Sequence, residues 1–425
     1  MFPGNDRPLS NNMIIAGLVG LLLLLVALGN VFWEEPETEK RFESTRTLMD
    51  TYVSVTVYDT DEDRAEAAID AAFQRMEDIV AIASRFNSSS ELSRLNSQGT
   101  LTSPSAELVE MIQLSVHYGD VTSGAFDISI TPLLNLWNED HHLFNVSAQY
   151  EKDLNAGTFP QDLRDNFTHF QPALYDLNET PLVTMESDLL GTGTAGWTIH
   201  SNWQQYYVVN ESGTLNLFTK FWYFPYWSQQ EHINQTLDVV GYHKITVSSD
   251  AITLLPGMSI TLDGMAKGYA VDAAIATLKE QGISRAMVNA GGDIATLGTK
   301  PDDEDWLIGL QNPENKAESV TEFQLAGQAI ATSGNYERYF NKSYEVGHIM
   351  DPSTGRDVYK CSSSTIIAEN CSVADILATA IFVLGPEQGV ALVETLPDVD
   401  VLVLDHDDPE LFYRSSGLEA YELKQ

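Results

Sequence analysis

The spacing of hydrophobic residues changes near residue 60, from the period of a strand to that of a helix. Residues 52–58 alternate between apolar and polar side chains, which predicts a half-buried strand. Thr60 or Asp61 can then cap a helix. The apolar residues of this helix recur three or four positions apart and share one face, so that face is predicted to pack against a core. They are Ile69, Phe73, Met76, Val80 and Ala83.

The rest of the chain predicts strands and helices without a regular βαβ alternation. A second helix is predicted to begin at Ser105. A later helix runs from Met265 to about Gln281 and ends at Gly282, a residue that accepts the left-handed backbone of a helix C-terminus. Short strands are predicted at 245–247 and 286–290.

Residues 261–272 lead from a strand into a helix through a turn of small residues. The N-terminus of a helix presents free backbone N–H groups and the positive end of its dipole, and Lys267 adds a charge there. This stretch predicts an anion site, although a glycine at such a junction also serves where only a tight turn is needed. Neither this stretch nor the Gly291-Gly292 pair contains a GxGxxG or a GxxxxGK[ST] pattern, which disfavours classical dinucleotide-binding and P-loop folds.

Asp375 and Thr379 are a candidate cation site. They are four residues apart in a predicted helix and so share one face, where a carboxylate and a hydroxyl can meet a hard cation. In the alternative interpretation Ser372 caps the helix, Asp375 at its third position complements the dipole, and Thr379 fills space. Upstream, His348 precedes the turn sequence of residues 351–355 and is either a ligand-binding or a structural imidazole.

The N-terminal part predicts a membrane anchor. Residues 13–33 contain no charged side chain and are long enough to span a bilayer as a helix. They follow a short tail at 1–12 and precede a polar linker at 34–46. Arg7 is the only basic residue before the span and acidic residues follow it, which weakly favours a catalytic body outside the cytoplasm.

Composition limits the classes of partner and bears on the cellular compartment of the protein. The net charge of −38 disfavours nucleic acid as a partner, because a phosphate backbone normally requires a basic surface. Eight Asn-x-Ser/Thr sequences occur, and five of them fall within residues 145–234, as expected for an exposed insertion, which we place at about 138–236. The only two cysteines, Cys361 and Cys371, are either a disulfide or two free thiols.

Eight short motifs, taken in order, resemble the FAD:protein FMN transferase family, the ApbE-like flavin transferases. The resemblance covers residues from about 46 to 137 and from about 237 to 405. Each motif is weak by itself, but their common order makes coincidence improbable. The motifs are Met49-Asp50-Thr51; Ser90-Glu91-Leu92 with Leu95-Asn96; Gly124-Ala125-Phe126-Asp127; Ala266-Lys267-Gly268-Tyr269-Ala270-Val271-Asp272; Asn289-Ala290-Gly291-Gly292-Asp293; Thr332-Ser333-Gly334 with Tyr336; His348-Ile349 with Asp351-Pro352 and Thr354-Gly355; and Ala374-Asp375 with Ala378-Thr379.

The resemblance implies an Mg2+-dependent enzyme that cleaves FAD and attaches FMN through a phosphoester to a Thr or Ser of an acceptor protein. The implied fold is α+β, two-lobed and related to the T-fold, and it forms one catalytic domain over residues 47–425 behind the transmembrane helix. The implied acceptor is a subunit of a membrane redox complex with a flavinylation-type Ser/Thr motif. An Mg2+-dependent FAD pyrophosphatase that releases FMN and AMP, and a flavin-binding surface protein without turnover, are the alternatives.

The resemblance also assigns site residues. Asp375, Thr379 and the carbonyl of Gly264 would be the metal ligands, all of them oxygen donors. Lys267 would lie beside the phosphates, and Asp375 or His348 would help to deprotonate the acceptor hydroxyl. The residues that would line the flavin and adenosine parts are Met49, Phe86, Ala125, Phe126, Asp127, Thr261, Lys267, Tyr336, His348 and Ile349.

Two positions depart from the family pattern. Asp50 stands where glycine is usual, at a position expected in a turn. Thr261 stands where an acid is usual, which leaves open which group contacts the adenosine end and makes Asp263 a candidate substitute.

Overall fold

A computed structural model describes residues 38–137, 233–312, 318–334, 346–408 and 410–423, together with short strands within 173–219 and at 339–341. The helices in these parts of the chain include α1 (Glu62–Ala83), α2 (Glu91–Gln98), α3 (Ala106–Val121), α4 (Thr131–Leu136), α5 (Ala266–Glu280), α6 (Cys371–Leu384) and α7 (Pro386–Val393).

The strands, in chain order, are β1 (Lys40–Leu48), β2 (Thr51–Asp59), β3 (Thr100–Thr102), β4 (Ala173–Tyr175), β5 (Pro181–Thr184), β6 (Trp197–Asn202), β7 (Gln205–Asn210), β8 (Gly213–Thr219), β9 (Thr246–Val247), β10 (Ala251–Thr253), β11 (Ala286–Ala290), β12 (Asp293–Leu297), β13 (Trp306–Gln311), β14 (Ser319–Leu325), β15 (Ala329–Gly334), β16 (Tyr339–Asn341), β17 (Val346–Gly347), β18 (Met350–Asp351), β19 (Arg356–Asp357), β20 (Cys361–Ala368), β21 (Asp400–Asp405) and β22 (Phe412–Arg414).

The architecture is organised around one eight-stranded sheet with the order β1-β2-β11-β12-β15-β20-β21-β22. Each neighbouring pair in it is antiparallel. The helices α1, α5 and α6 pack together beside this sheet and share its largest hydrophobic cluster. A second cluster involves the other sheet face and the hairpin of β13 and β14, so both faces of the central strands are covered. The predicted α+β class is therefore confirmed.

The periodic segments folded as their patterns predicted, except that Ile79 rather than Val80 is fully buried on α1. Asp61 caps α1 by accepting a hydrogen bond from the N–H of Arg64, and Ile69, Phe73 and Met76 are buried on its inner face. Ser105 caps α3 in the same way. The helix predicted from Met265 is α5, and Gly282 follows it with a φ of 84°.

The two-residue turn between β1 and β2 explains the first departure from the family pattern. Met49 and Asp50 have φ values of 55° and 57°, so both are left-handed. Such a turn matches the twist of a hairpin, and glycine, asparagine and aspartate tolerate it best. Asp50 is therefore compatible with a position where glycine is usual.

Two predicted boundaries need correction. The linker predicted at 34–46 is too long, because residues 40–46 belong to β1. This edge strand pairs with β2 through its backbone and leaves most side chains exposed, so it lacks an alternating hydrophobic pattern. In addition, α6 begins at Cys371 rather than after a cap by Ser372, and Asp375 consequently lies in its second turn.

The structure resolves the open question about the cysteines. Cys361 and Cys371 are both buried free thiols. The predicted span at 13–33 lies outside the described residues, as does most of the predicted insertion at 138–236. Within that insertion the described backbone forms a five-stranded antiparallel sheet. Among the helices that the structure describes, none has the length and apolarity required to cross a membrane.

One small cluster lies where the chain leaves and re-enters the described body. Trp137 and Ile233 are both buried there, next to the turn between β18 and β19. The indole N–H of Trp137 donates to the carbonyl of Gly355, with 2.9 Å between nitrogen and oxygen. A Cβ atom added to Gly355 would lie 2.5 Å from Ile233 and 3.0 Å from Leu133. Trp137 and Ile233, the residues that flank positions 138–232, are therefore neighbours in space.

Candidate active site

The three predicted metal ligands approach one another at the turn before α5. A Cβ atom added to Gly264 would lie 3.4 Å from the Oγ1 atom of Thr379 and 3.2 Å from the Phe126 ring. Asp375 lies one helical turn before Thr379 on α6. The same carboxylate accepts a hydrogen bond from the N–H of Gly268, at 3.2 Å, close to the N-terminus of α5. The structure thus brings Gly264, Asp375 and Thr379 to one place, which we call the cation end.

Hydroxyl groups of the sheet adjoin the cation end. The Oγ atom of Ser333 on β15 lies 3.2 Å from Oγ1 of Thr379. Ser364 is the direct cross-strand neighbour of Ser333, and its buried hydroxyl has no hydrogen-bond partner among the described residues. A buried polar atom normally has a partner, so this region can accommodate a further polar group. Ser333 belongs to one of the eight motifs, but no role was predicted for it.

The electrostatics of Asp375 fit a cation. Its side chain is 5% exposed. Burial, followed by repulsion from Asp293, raises the pKa of Asp375 to about 8, and the nearby Lys267 only partly opposes this. A buried carboxylate without a full counter-charge is unfavourable, and a hard cation with oxygen ligands would supply the missing positive charge. In the parts of the chain that the structure describes, no three or more His, Cys, Asp or Glu side chains are close enough together to hold a metal ion between them. That is compatible with a ligand set that has one carboxylate, one hydroxyl and one carbonyl.

Lys267 has a partner that the sequence analysis missed. Its ammonium group lies 2.5 Å from a carboxylate oxygen of Asp293, which is 2% exposed. Burial alone would lower the pKa of Lys267, but the carboxylates of Asp293 and Asp375 raise it above its ordinary value. Lys267 is therefore a fixed positive charge between two buried acids. Asp293 directly follows a Gly-Gly pair at the end of a strand. This position was the signal in the sequence that could have identified Asp293 as a site residue.

The end of the β1–β2 turn contacts the turn that precedes Asp293. A Cβ atom on Gly291 would overlap the side chain of Thr51, so the turn that carries Met49 contacts the turn before Asp293. The side chain of Asn289 accepts a hydrogen bond from the N–H of Gly292 at 3.0 Å and holds that second turn. The turn that carries Met49 therefore lies next to the turn that leads into Asp293, while the predicted contact of Met49 with the flavin stays a prediction.

Thr261, which stands where an acid is usual, has a partner within its own turn. Thr261 is buried, and its hydroxyl accepts a hydrogen bond from the N–H of Asp263 at 3.1 Å. Asp263 is exposed, and one of its carboxylate oxygens lies 2.7 Å from Nε of Arg85. The Arg85 guanidinium in turn lies 4.3 Å above the ring of Phe86, which is 75% exposed. We call Arg85, Phe86 and Asp263 the outer end of the site.

The turn at residues 125–127 supports the site from within. Ala125 and Phe126 are buried. One carboxylate oxygen of Asp127 accepts hydrogen bonds from the N–H and hydroxyl of Ser129, and the other accepts one from the N–H of Tyr242 at 2.9 Å. Burial raises the pKa of Asp127, although these bonds oppose the shift. Its visible role is to shape the turn that places Phe126 against Gly264.

The remaining predicted residues are placed only in part. His348 is half-buried and directly follows β17, and Ile349 belongs to the same hydrophobic cluster as Phe126. The predicted Asp-Pro turn is confirmed, since the N–H of Gly355 donates to the carbonyl of Asp351 at 2.8 Å. Tyr336 lies outside the described residues.

Similarity to known proteins covers most of the chain. Residues 49–164 and 161–403 match the model of the ApbE family. An FAD:protein FMN transferase of Vibrio cholerae is 33% identical over 195 residues, which are 45% of this chain and 58% of that protein. A protein of the same name from Klebsiella pneumoniae is 25% identical over 360 residues, or 82% of each chain.

Solved structures share the fold. The crystal structure of the ApbE protein of Thermotoga maritima superposes with a TM-score of 0.65 at 22% identity, and covers 91% of this chain and 100% of that one. The flavin transferase ApbE of Vibrio cholerae gives a TM-score of 0.61 at 22% identity, with coverage of 90% and 99%.

Proposed function

Since the chain belongs to the ApbE family, we propose that it is an FAD:protein FMN transferase, an enzyme that joins FMN from FAD to a Thr or Ser of an acceptor protein. The observation that carries the proposal is the convergence of Gly264, Asp375 and Thr379 beside the ion pair of Lys267 with the buried Asp293. Phosphoryl transfer requires fixed charges and positioned oxygen ligands more than it requires covalent chemistry by the enzyme.

In the proposed reaction, the acceptor hydroxyl oxygen bonds to the phosphorus of the FMN half of FAD. The bond from that phosphorus to the bridging pyrophosphate oxygen breaks, and AMP leaves with the electron pair. The hydroxyl proton passes to a base, for which Asp375 and His348 are the candidates. Lys267 supplies a permanent positive charge for the phosphates, and its pairing with Asp293 limits the side chain to one position.

We also propose that Mg2+ is required and that Asp375, Thr379 and the carbonyl of Gly264 hold it. When bound, Mg2+ would neutralise charge that develops on the pyrophosphate. The support is the chemistry of the donors, which are all oxygen, and the uncompensated burial of Asp375.

The test is an incubation of the full-length protein in detergent with FAD, Mg2+ and an acceptor that carries a Ser/Thr-Gly-Ala-Thr/Ser stretch. We expect covalent flavin fluorescence on the acceptor and one AMP released per flavin attached, both lost on addition of EDTA. AMP release without labelling would instead indicate the FAD pyrophosphatase. FAD binding without either product would contradict an enzyme altogether.

We further propose that residues 13–33 anchor the protein and that its catalytic domain works outside the cytoplasm on a redox-complex subunit. The apolar run and the acidic residues behind it support this topology. Protease treatment of intact cells tests it, because digestion of the domain is expected only if it is exposed outside. A protected domain would contradict the proposal.

A further inference from the structure

The helices α5 and α6 exchange carboxylates at their N-termini. Asp272, on α5, accepts hydrogen bonds from the backbone N–H groups of Cys371 and Ser372, with distances of 2.7 and 2.9 Å. These are the first two residues of α6. In the opposite direction, Asp375 on α6 accepts the N–H of Gly268, the third residue of α5. Each helix therefore satisfies free N–H groups of the other.

This exchange requires the two helices to lie unusually close. A Cβ atom on Gly268 would overlap the carbonyl oxygen of Cys371, so only glycine permits the observed approach. Asp272 lies one turn of α5 beyond Gly268, which brings its carboxylate to the beginning of α6. The negative charge of Asp272 is also favourable there, because it faces the positive end of the α6 dipole.

The side chain of Asn370, at the position that normally caps α6, makes no capping hydrogen bond. Asp272 takes over that function from another helix. Since α6 is a continuous helix, holding its first two residues also sets the positions of Asp375, one turn further on, and Thr379, two turns further on. The location of the cation end relative to Gly264 thus depends on a carboxylate that is not itself a proposed ligand.

We propose that Asp272 is a positioning residue of the cation site, which fixes α6 so that Asp375 and Thr379 meet the Gly264 turn. The inference rests on the proposed function, because it assigns Asp272 to the same site. Residues that orient metal ligands typically affect metal affinity by about 10- to 100-fold when they are replaced.

Asp272→Asn in the full-length protein tests the inference. Asparagine retains one acceptor oxygen but loses the charge and the second acceptor. We expect the affinity for Mn2+, followed by electron paramagnetic resonance without FAD turnover, to fall by about 10-fold or more. The Mg2+ concentration for half-maximal AMP release should rise by a similar factor.

Glu91→Gln is the matched control. The Glu91 carboxylate accepts the N–H and hydroxyl of Ser105, the cap of α3, at 2.8 and 2.9 Å. Like Asp272, Glu91 belongs to one helix and binds the N-terminus of another, in this case α3. No proposed site residue lies on α3. We expect Glu91→Gln to lower the melting temperature and to leave Mn2+ affinity unchanged. If Asp272→Asn also lowers the melting temperature and leaves Mn2+ affinity unchanged, the role of Asp272 is only structural and the inference is wrong.

Asp272→Glu keeps the test decisive if the asparagine variant does not fold. It retains the charge but moves the carboxylate by one methylene group, so a weaker Mn2+ affinity in a folded protein supports the inference and an unchanged affinity overturns it. Measurements on the wild-type protein distinguish a failure of the proposed function from a failure of this inference. A wild-type protein that binds no Mn2+ and does not turn over FAD would remove the proposed function and this inference with it. Equal Mn2+ affinity of the wild-type protein and the Asp272 variant would contradict this inference and leave the proposed function intact.

Discussion

The cation end and the outer end of the site are built in opposite ways. At the cation end, Asp375 is buried on a helix and its carboxylate is held by a backbone N–H group of another helix. At the outer end, Arg85 and Asp263 lie in turns and are joined by an ion pair between partly exposed side chains. The carboxylate at the cation end is buried against the core, whereas the ion pair of the outer end is accessible to water and salt.

This difference separates two tasks. Precise placement of a reacting group needs rigid elements whose polar groups are satisfied by one another. An exposed ion pair beside an exposed aromatic ring contributes little to stability, and it can rearrange around a ligand at small cost. We therefore expect changes at the cation end to affect turnover and folding, and changes at the outer end to affect mainly substrate binding.

The largest expected effect is that of Asp375→Ala. The variant removes the only carboxylate among the proposed ligands, so AMP release and acceptor labelling should both fall by more than about 100-fold. Labelling assayed by flavin fluorescence and AMP assayed by chromatography check this. Glu369→Ala, an exposed carboxylate just before α6, is the control and should keep full activity. Full activity of Asp375→Ala would show that the ligand assignment is wrong.

Lys267→Met should be the most destabilising single change. It leaves Asp293 buried without its partner, and we expect a loss of about 3 kcal/mol in the free energy of unfolding, the lower end for breaking a buried pair because Lys267 is partly exposed. Urea unfolding measures it. The double variant with Asp293→Asn should recover part of the loss, since no unpaired charge remains. Simple additivity of the two changes would argue against a coupled pair.

Gly268→Ala should have an intermediate effect. Its methyl group overlaps the Cys371 carbonyl, so α5 and α6 must separate at a cost of about 1–3 kcal/mol, and activity should fall with stability. Gly282→Ala is the contrasting variant, because φ is 84° there but no atom lies within 4 Å of the added methyl group. It should lose stability while specific activity is retained. Equal activity losses would mean that helix spacing is not the cause.

At the outer end, Arg85→Ala should change stability by less than about 1 kcal/mol. The expected functional effect is a rise of up to about 5-fold in the KM for FAD with little change in kcat. Steady-state kinetics with Asp263→Asn and the double variant check whether the two residues act as one unit. A large fall in kcat would place Arg85 in the chemistry instead.

The smallest effect concerns a carboxylate outside the site. The hydrogen bond from Arg64 holds the pKa of Asp59 below its ordinary value. The resulting stability is present at neutral pH and is lost as pH falls below about 4, where the unfolded state takes up the proton first. Asp59→Asn should therefore flatten the decline of melting temperature on the acid side. An unchanged decline would mean that other carboxylates dominate it.

The sequence predicted what depends on local periodicity. The face of α1, the end of α5 at Gly282 and the shared face of Asp375 and Thr379 all follow from helical spacing, and the structure contains them. Strand β1 was missed because its side chains are mostly exposed. Its backbone pairs with β2 along its whole length, and this pairing leaves no alternating hydrophobic pattern in the sequence.

The partners of the site residues could not be predicted in this way. Arg85 and Asp263 are 178 positions apart, and Asp272 and Cys371 are 99 apart. Such contacts depend on the order of strands in the sheet, which no local pattern encodes. Thr261 illustrates the limit, because its replacement of an acid was visible in the sequence, whereas the pairing of Asp263 with Arg85 required the fold.

The small cluster around Gly355 has a consequence for how this enzyme can diversify. Trp137 and Ile233 are packed at one spot, so the residues numbered 138–232 begin and end at neighbouring points of the body. The entropy of closing such a loop grows only with the logarithm of its length. Evolution, or an engineer, can thus lengthen, shorten or exchange this stretch while the connectivity of the central sheet stays the same.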